Sequence, residues 1–377
     1  MKKSSDLFFW ILVCLAMGSS CFAQATGSRD ATGSADVRKT FLNYFLPMPI
    51  HGTLSKDVWG AAEVGPRDVQ NGLEDTTINK WCYWDGQIIK GKDGKYHLFA
   101  SRWAQSKGHN GWFDSVAVHA VSEKDITGPY IDKELCWPGN QNGKGHNVTA
   151  LVLPDGTYAI VVSETRPGDV FVSKSLDGPW EFKGTIKIEP GKYSREGRAS
   201  NVSIMVRPDG DFMIVPRSGA VGISKNGILG PYKMQGPSVY PKVVGLPLRN
   251  LEDPVIWYSG GLYHIVVNSW SDRKAYHITS VNGIDNWTFQ GLAYDPTTDF
   301  IRYTDGTVNH WHKLERPGVV IENGHVTAVT LAAIDVPKEQ EKGYDAHGSK
   351  IIVIPFDGAA LDRESQKADS EKNSGHH

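Results

Sequence analysis

Cysteine is scarce in this chain: four residues in 377, two of them within the first 25, which leaves Cys82 and Cys136 for the rest. Two thiols make no disulfide framework; they can form one bridge or stay free. No CxxC or HExxH spacing occurs, which excludes the common structural zinc motifs and the zincin proteases. An excess of one charge is lacking too: the formal net charge is -2, so nothing pulls the whole molecule toward nucleic acid or a membrane surface. Beyond the N-terminus there is no long apolar run, hence no expected spanning helix. Helical periodicity is almost absent.

The one apolar run lies in MKKSSDLFFWILVCLAMGSSCFAQA, after Lys2 and Lys3. It is too short to span a bilayer and is expected to be a secretory signal peptide, residues 1–23, cleaved after Ala23. A lipid anchor on Cys21 is the rival reading, disfavoured because Gly18-Ser19-Ser20 lacks the usual leucine. The mature chain is therefore expected to be secreted or periplasmic. Residues 24–35 and 363–377, polar and low in aromatics, are expected to lack structure, within an N-terminal arm (24–79) and a polar C-terminal tail (358–377).

Glycine and aromatics are plentiful: 40 glycines and 12 tryptophans. They imply many turns and large flat faces for packing or for stacking on a ligand such as sugar. The hairpins repeat, as DGQIIKGKDGKYHLFAS, NVTALVLPDGTYAIVVS, NVSIMVRPDGDFMIVP, DPVIWYSGGLYHIVV and ERPGVVIENGHVTAVTL. Their Asp-Gly, Gly-Gly and Asn-Gly centres suit turns with positive φ. Closing turns recur at Ser122, Ser173, Ser224 and Ser280, at intervals of 51, 51 and 56 residues. A period near fifty with three or four strands per unit predicts an all-β, five-bladed β-propeller over 80–357, with IIVIPF (351–356) as closing strand. A sandwich would not repeat at this interval, and a β-helix would have shorter rungs.

In a propeller the inner strands begin at one common mouth. Nine residues before each turn glycine stand Asp85, Asn147, Asn201, Glu252 (with Asp253 beside it) and Glu315. A carboxylate or amide thus recurs in every blade. The returning strands should bring Arg102, Trp103, Glu164, Arg166, Arg217, Asn268 and Trp270 to the same mouth, and the loop WAQSKGHNGWFDS should add His109 and Trp112. The stretch NHWHKLERPG gathers His310, His312, Glu315 and Arg316 at the start of the fifth inner strand. Carboxylates on several sides of one pocket suit glycoside hydrolysis, which needs a base to activate water and a donor for the leaving oxygen.

WDG at 84–86, LEDPVIWYSGGLYHIVV at 251–267 and HKLERPGVV at 312–320, with the blade repeat, carry a resemblance to the five-bladed propeller glycoside hydrolases, family 43 and more closely family 117, over nearly all of 37–357. The resemblance implies an inverting, exo-acting hydrolase with an oligosaccharide as partner. It makes Asp85 the general base, Asp253 an assisting aspartate, and leaves the acid among His310, His312 and Glu315, with a histidine favoured. Asn201 stands where family 43 places a supporting aspartate, which argues against an ordinary arabinosidase or xylosidase. Family 117 acts on α-linked 3,6-anhydro-L-galactose of agar fragments. No cofactor is required, although amide oxygens of Asn147 and Asn201 could hold a channel cation such as calcium. The competing readings are a polysaccharide lyase, using Arg102, Arg166, Arg217 and His312, and a sugar-binding propeller without catalysis.

Overall fold

The structure, a computed structural model, describes residues 39–56, 64–77 and 79–374. The expected signal peptide and residues 24–35 lie outside the described residues. Five antiparallel sheets follow one another: β1–β4 (Trp81–Lys90, Tyr96–Ala104, Val116–Ser122, Ile131–Leu135), β5–β8 (His146–Val152, Tyr158–Glu164, Asp169–Ser173, Glu181–Thr185), β9–β12 (Ser203–Val206, Phe212–Val215, Gly222–Ser224, Lys233–Met234), β13–β16 (Leu251–Ser259, Leu262–Ser269, Lys274–Ser280, Thr288–Tyr294) and β17–β19 (Lys313–Glu322, His325–Ile334, Ser349–Pro355). Each sheet is a simple meander. Their first strands neighbour one another in a closed ring, β1–β5–β9–β13–β17 and back to β1. This is the expected five-bladed propeller.

Five apolar layers fill the gaps between successive blades. Strand β6 shows how one sequence serves two of them: Ile160 and Val162 pack toward blade one, Ala159 and Val161 toward blade three. Side chains alternate across a strand, so a strand buried on both faces reads as a continuous apolar run. The last layer joins blade five to blade one through Val320, Ala328 and Val353 against Leu98 and Val118.

The hairpins use two turn types. In blades one to three, five residues connect the strands, as between Lys90 and Tyr96, and the turn glycines Gly94, Gly156 and Gly210 have φ of +84°, +80° and +88°. In blades four and five only two residues intervene, Gly260-Gly261 and Asn323-Gly324, all at positive φ. Such tight turns need left-handed backbone at both positions, which glycine and asparagine supply.

The three-stranded fifth sheet is completed by the N-terminal arm. Leu73 exchanges both backbone hydrogen bonds with Ile351 at 3.0 Å, and the Asn71 amide continues the pairing to Val353. Glu74 is clamped there by Arg67 at 2.5 Å and Lys350 at 2.6 Å, all three essentially without solvent contact. At the C-terminus, residues 363–374 were expected to lack structure but continue helix α1 (Gly358–Ser374). Its first turn docks through buried Asp362, which accepts hydrogen bonds from Ser259 at 2.8 Å and His325 at 2.6 Å. A polar composition conceals a helix anchored by so few groups. Cys82 and Cys136 are free and buried. Among the described residues no helix is long and apolar enough to cross a membrane.

Candidate active site

At the start of each inner strand one residue takes left-handed backbone: Asp85 (φ +67°), Asn147 (+54°), Asn201 (+45°), Asp253 (+51°) and Arg316 (+48°). In blades one, four and five this residue sits in a break of the strand register. Such a kink interrupts the strict alternation of faces. A residue and its predecessor can then face the same mouth, which makes two rings: the five above, and Trp84, His146, Ser200, Glu252 and Glu315.

The register expected from the turn glycines therefore holds in three blades and slips by one in two. Counting nine back from Gly261 and Gly324 lands on Glu252 and Glu315, whereas the equivalents of Asp85 are Asp253 and Arg316. The cause is the turn type. In the five-residue connection the glycine stands four positions beyond the strand end; in the two-residue connection it stands two beyond, and the strand is one residue longer.

A cavity of about 210 Å³ is lined by the whole second ring and by Asn147, Asn201 and Asp253 of the first, with all five blades contributing. Its aromatic wall is Trp84, Trp103 and Trp112, braced by His109, which stands edge-on to Trp84 at 5.3 Å and bonds buried Glu341 at 3.1 Å. His146 is held by Ser115 at 2.9 Å, and burial keeps its imidazole neutral. The opposite side is polar. Asn147 donates to the Asn201 side-chain oxygen at 2.7 Å, while Glu164 accepts Ser200 at 2.6 Å and the Asn201 backbone at 3.1 Å.

Glu252, Asp253 and Glu315 each place an oxygen so that the three atoms lie within 4.8 Å of one another. Like charges so close cannot all ionise freely. Burial, then the charges of Asp253 and Glu315, push the Glu252 carboxyl up to about 8 despite Arg217 at 3.1 Å. Burial also raises Asp253, against the pull of Arg316. Burial works the same way on Glu315, yet Lys338 and Lys313, each at 2.5 Å, outweigh it and hold this carboxyl below its ordinary value. Burial and crowding thus favour the protonated form of Glu252, while the two lysines favour the carboxylate form of Glu315.

Asp85, in blade one, is buried and does not itself line the cavity, although its neighbour Trp84 does. Its Oδ2 accepts the Ser101 hydroxyl and the Val148 backbone N–H, the latter at 3.1 Å. Its Oδ1 has no hydrogen-bond partner among the described residues; Arg316 Nε stands 3.7 Å away. Burial raises this carboxyl to about 6, with Arg316 and the two hydrogen bonds opposing.

Of the residues singled out in the sequence, Trp103, His109, Trp112, Asn147, Glu164, Asn201, Arg217, Glu252, Asp253 and Glu315 line the cavity. Asp85 and Arg316 are buried and do not line it. The others are engaged elsewhere. Arg102 pairs with Asp132 and covers the Trp81 ring; Arg166 is held by Asp169 and Asn140, both at 2.8 Å. Asn268 is fully buried against the Tyr294 hydroxyl. Trp270 is 41 % exposed, with Lys313 5.5 Å from its ring centre. His310 bonds Asp299 at 2.9 Å on the surface, and half-buried His312 lies 3.1 Å from Arg273; neither lines the cavity.

The sequence reading missed Trp84, His146, Ser200 and Lys338. The first three precede the ring residues directly, a signal legible once the left-handed kink is known. Lys338, in the turn Lys338–Gln340 after β18, belongs to no repeat and carries no such signal.

No protein-family model matches the chain. No curated protein matches it either. Solved structures do. A family 117 glycoside hydrolase of the marine bacterium Zobellia galactanivorans superposes with a TM-score of 0.51 at 14% identity, over 76% of this chain and 88% of that one. The β-xylosidase RS223 gives 0.50 at 12% identity, over 75% and 94%. A family 43 β-xylosidase/α-arabinofuranosidase from a compost microbial metagenome, solved with xylotriose, gives 0.49 at 14%, over 76% and 94%. At such identities the likeness is one of fold, and the fold of this chain is that of the five-bladed propeller glycoside hydrolases.

Proposed function

We propose that this protein is an inverting exo-glycosidase that removes one terminal sugar from an oligosaccharide. The observation that carries the reading is the unequal pair of Glu252 and Asp85. Glu252 retains its proton at neutral pH and can give it to the leaving glycosidic oxygen; Asp85 has one oxygen saturated and one left to accept a proton from water. Glu315 and Asp253 supply negative charge beside the donor and beside the positive charge that develops on the sugar ring. The tryptophan wall suits the apolar face of a sugar, and the Asn147, Asn201 and Glu164 side suits its hydroxyls. In this reading the proton donor is Glu252 and not a histidine of the fifth blade.

The cavity is smaller than the roughly 300–1,000 Å³ of ordinary small-molecule clefts. This supports exo-action on one terminal ring. Lys338 and Lys313 are held by Glu315 and Arg316 by Asp253, whereas Arg217 lies 3.1 Å from the carboxyl read here as the protonated donor and could meet a polar or anionic substrate group. Hydrolysis is favoured over lyase chemistry by the pairing of a protonated carboxyl with a separate base. The resemblance to family 117 suggests an α-linked 3,6-anhydro-galactose end, and the signal peptide expected in residues 1–23 would put that action outside the cytoplasm.

The test is incubation with neutral and uronate-bearing oligosaccharides from algal and plant polysaccharides, followed by product chromatography and early-time NMR of the anomeric proton. The expected outcome is a single neutral monosaccharide of inverted configuration. Mixed internal fragments would refute exo-action, a retained anomer would refute the base role of Asp85, and an unsaturated product would make the protein a lyase. Binding without turnover would leave a sugar-binding propeller.

A further inference from the structure

The left-handed ring presents oxygen-bearing side chains from four blades: Asp85, Asn147, Asn201 and Asp253. Carboxylate and amide oxygens are what hard divalent cations take as ligands. As folded, however, this donor set does not fit such an ion. The Asn201 oxygen is taken by the Asn147 amide. Asp253 Oδ1 accepts Arg316 Nη1 at 3.2 Å, and Arg316 Nε stands 3.7 Å from Asp85 Oδ1. A guanidinium, always charged, therefore already lies against both carboxylates that a cation would need.

The fifth blade bears a cost for this. Asparagine and aspartate visit left-handed backbone readily, but an arginine there is strained. Its side chain is only 8 % exposed, so its charge is buried as well. It is not among the residues that line the cavity. Strain at such a place is evidence from which a role can be inferred.

We propose that Arg316 is the built-in cation of the channel: it takes the place of a divalent ion and, as a positioning residue, holds Asp85 and Asp253 on either side of its guanidinium. Arg316→Asn is the informative variant, because asparagine suits the backbone there, as Asn147 and Asn201 show. It leaves two carboxylates without their counter-ion, in a ring whose Asn147 oxygen is buried and has no hydrogen-bond partner among the described residues. The vacated space should then accept a hard cation.

The experiment is calorimetric titration of the chelator-treated chain with calcium chloride, paired with thermal unfolding. The wild type is expected to bind no calcium in the channel and to keep its Tm. Arg316→Asn should bind about one ion per chain and gain several degrees in Tm on saturation, while Arg316→Lys, which keeps a charge, should behave as the wild type. One calcium per wild-type chain, lost in Asp253→Asn, would overturn the proposal, and so would a folded Arg316→Asn that binds none. Should Arg316→Asn fail to fold, the wild-type titration decides alone.

A second readout rests on the reading of Asp85 as base. Without calcium, the acid limb of the kcat/KM profile of Arg316→Asn should move to higher pH, and calcium should move it back. A purely structural role for Arg316 would change the rate without moving that limb. Calcium binding as expected in a chain inactive on every sugar would count against the glycosidase, not against the built-in cation.

Discussion

Glu252→Gln keeps the shape of the side chain while removing both its proton and its charge, and it therefore separates two consequences of the crowded carboxylates. The chemical one is loss of the donor. Turnover of a natural oligosaccharide should fall by roughly two to four orders of magnitude, the usual worth of a general acid. A nitrophenyl glycoside leaves with little protonation and should fall far less. The second consequence is thermodynamic. The Glu252 carboxyl rises from 4.5 to about 8 on folding. Folding therefore favours the protonated form: its contribution to stability is complete below pH 4.5 and is lost as pH rises through about 8. At ~1.36 kcal/mol per pH unit, the carboxyl costs the folded state on the order of 3 kcal/mol at pH 7. Glutamine does not titrate, so Glu252→Gln should gain stability over the wild type steadily between pH 5 and pH 8, by several degrees of Tm in all. Thermal unfolding followed by circular dichroism across that range measures the gap. A gap that does not change with pH would refute the raised carboxyl, and equal losses on both substrates would refute the donor.

Asp85→Asn should reduce turnover by roughly 10²- to 10⁴-fold on natural and nitrophenyl substrates alike with an unchanged circular dichroism spectrum; near-normal turnover removes it from the mechanism. His310→Ala and His312→Ala should leave the ratio of rates on those two substrates as in the wild type, and a selective rescue by nitrophenyl glycoside in either would return the donor to the fifth blade. Glu74→Ala removes the carboxylate between buried Arg67 and Lys350 and should cost about 3–5 kcal/mol in denaturant unfolding; a loss below about 1 kcal/mol would mean that the arm is not held by this cluster.

The blades were legible because their signals are local. A turn glycine with flanking β-rich runs fixes a hairpin, and five hairpins at a steady interval fix the ring. The site was legible only as far as the strand's period of two could carry it. That rule allows one residue of each neighbouring pair to face the mouth, so it selects Asp85 and sets Trp84 aside. The left-handed kink admits both, and it leaves almost no mark in composition: asparagine and aspartate hint at it in four blades, arginine in the fifth does not. His310 and His312 suit a proton donor at neutral pH by residue type, but their rings turn to Asp299 and Arg273, and no local pattern records that. Lys338 reaches Glu315 from a connection outside the repeat, a contact set by tertiary packing alone.

The pairing of Leu73 with Ile351 bears on how the molecule comes to exist during synthesis. The arm leaves the ribosome first and its partner strand nearly last. Hairpins of blades one to four can form as they emerge, because their contacts are close in sequence. Until Ser349–Pro355 is made, however, β18 has an open edge, the arm has nothing to pair with, and Glu74 lacks Lys350. Unpaired edges of this kind are templates for joining other chains. A pause or truncation just before residue 349 would thus release four finished blades and one adhesive seam, whereas a nick in a turn of blade two or three, made after closure, would leave that seam joined.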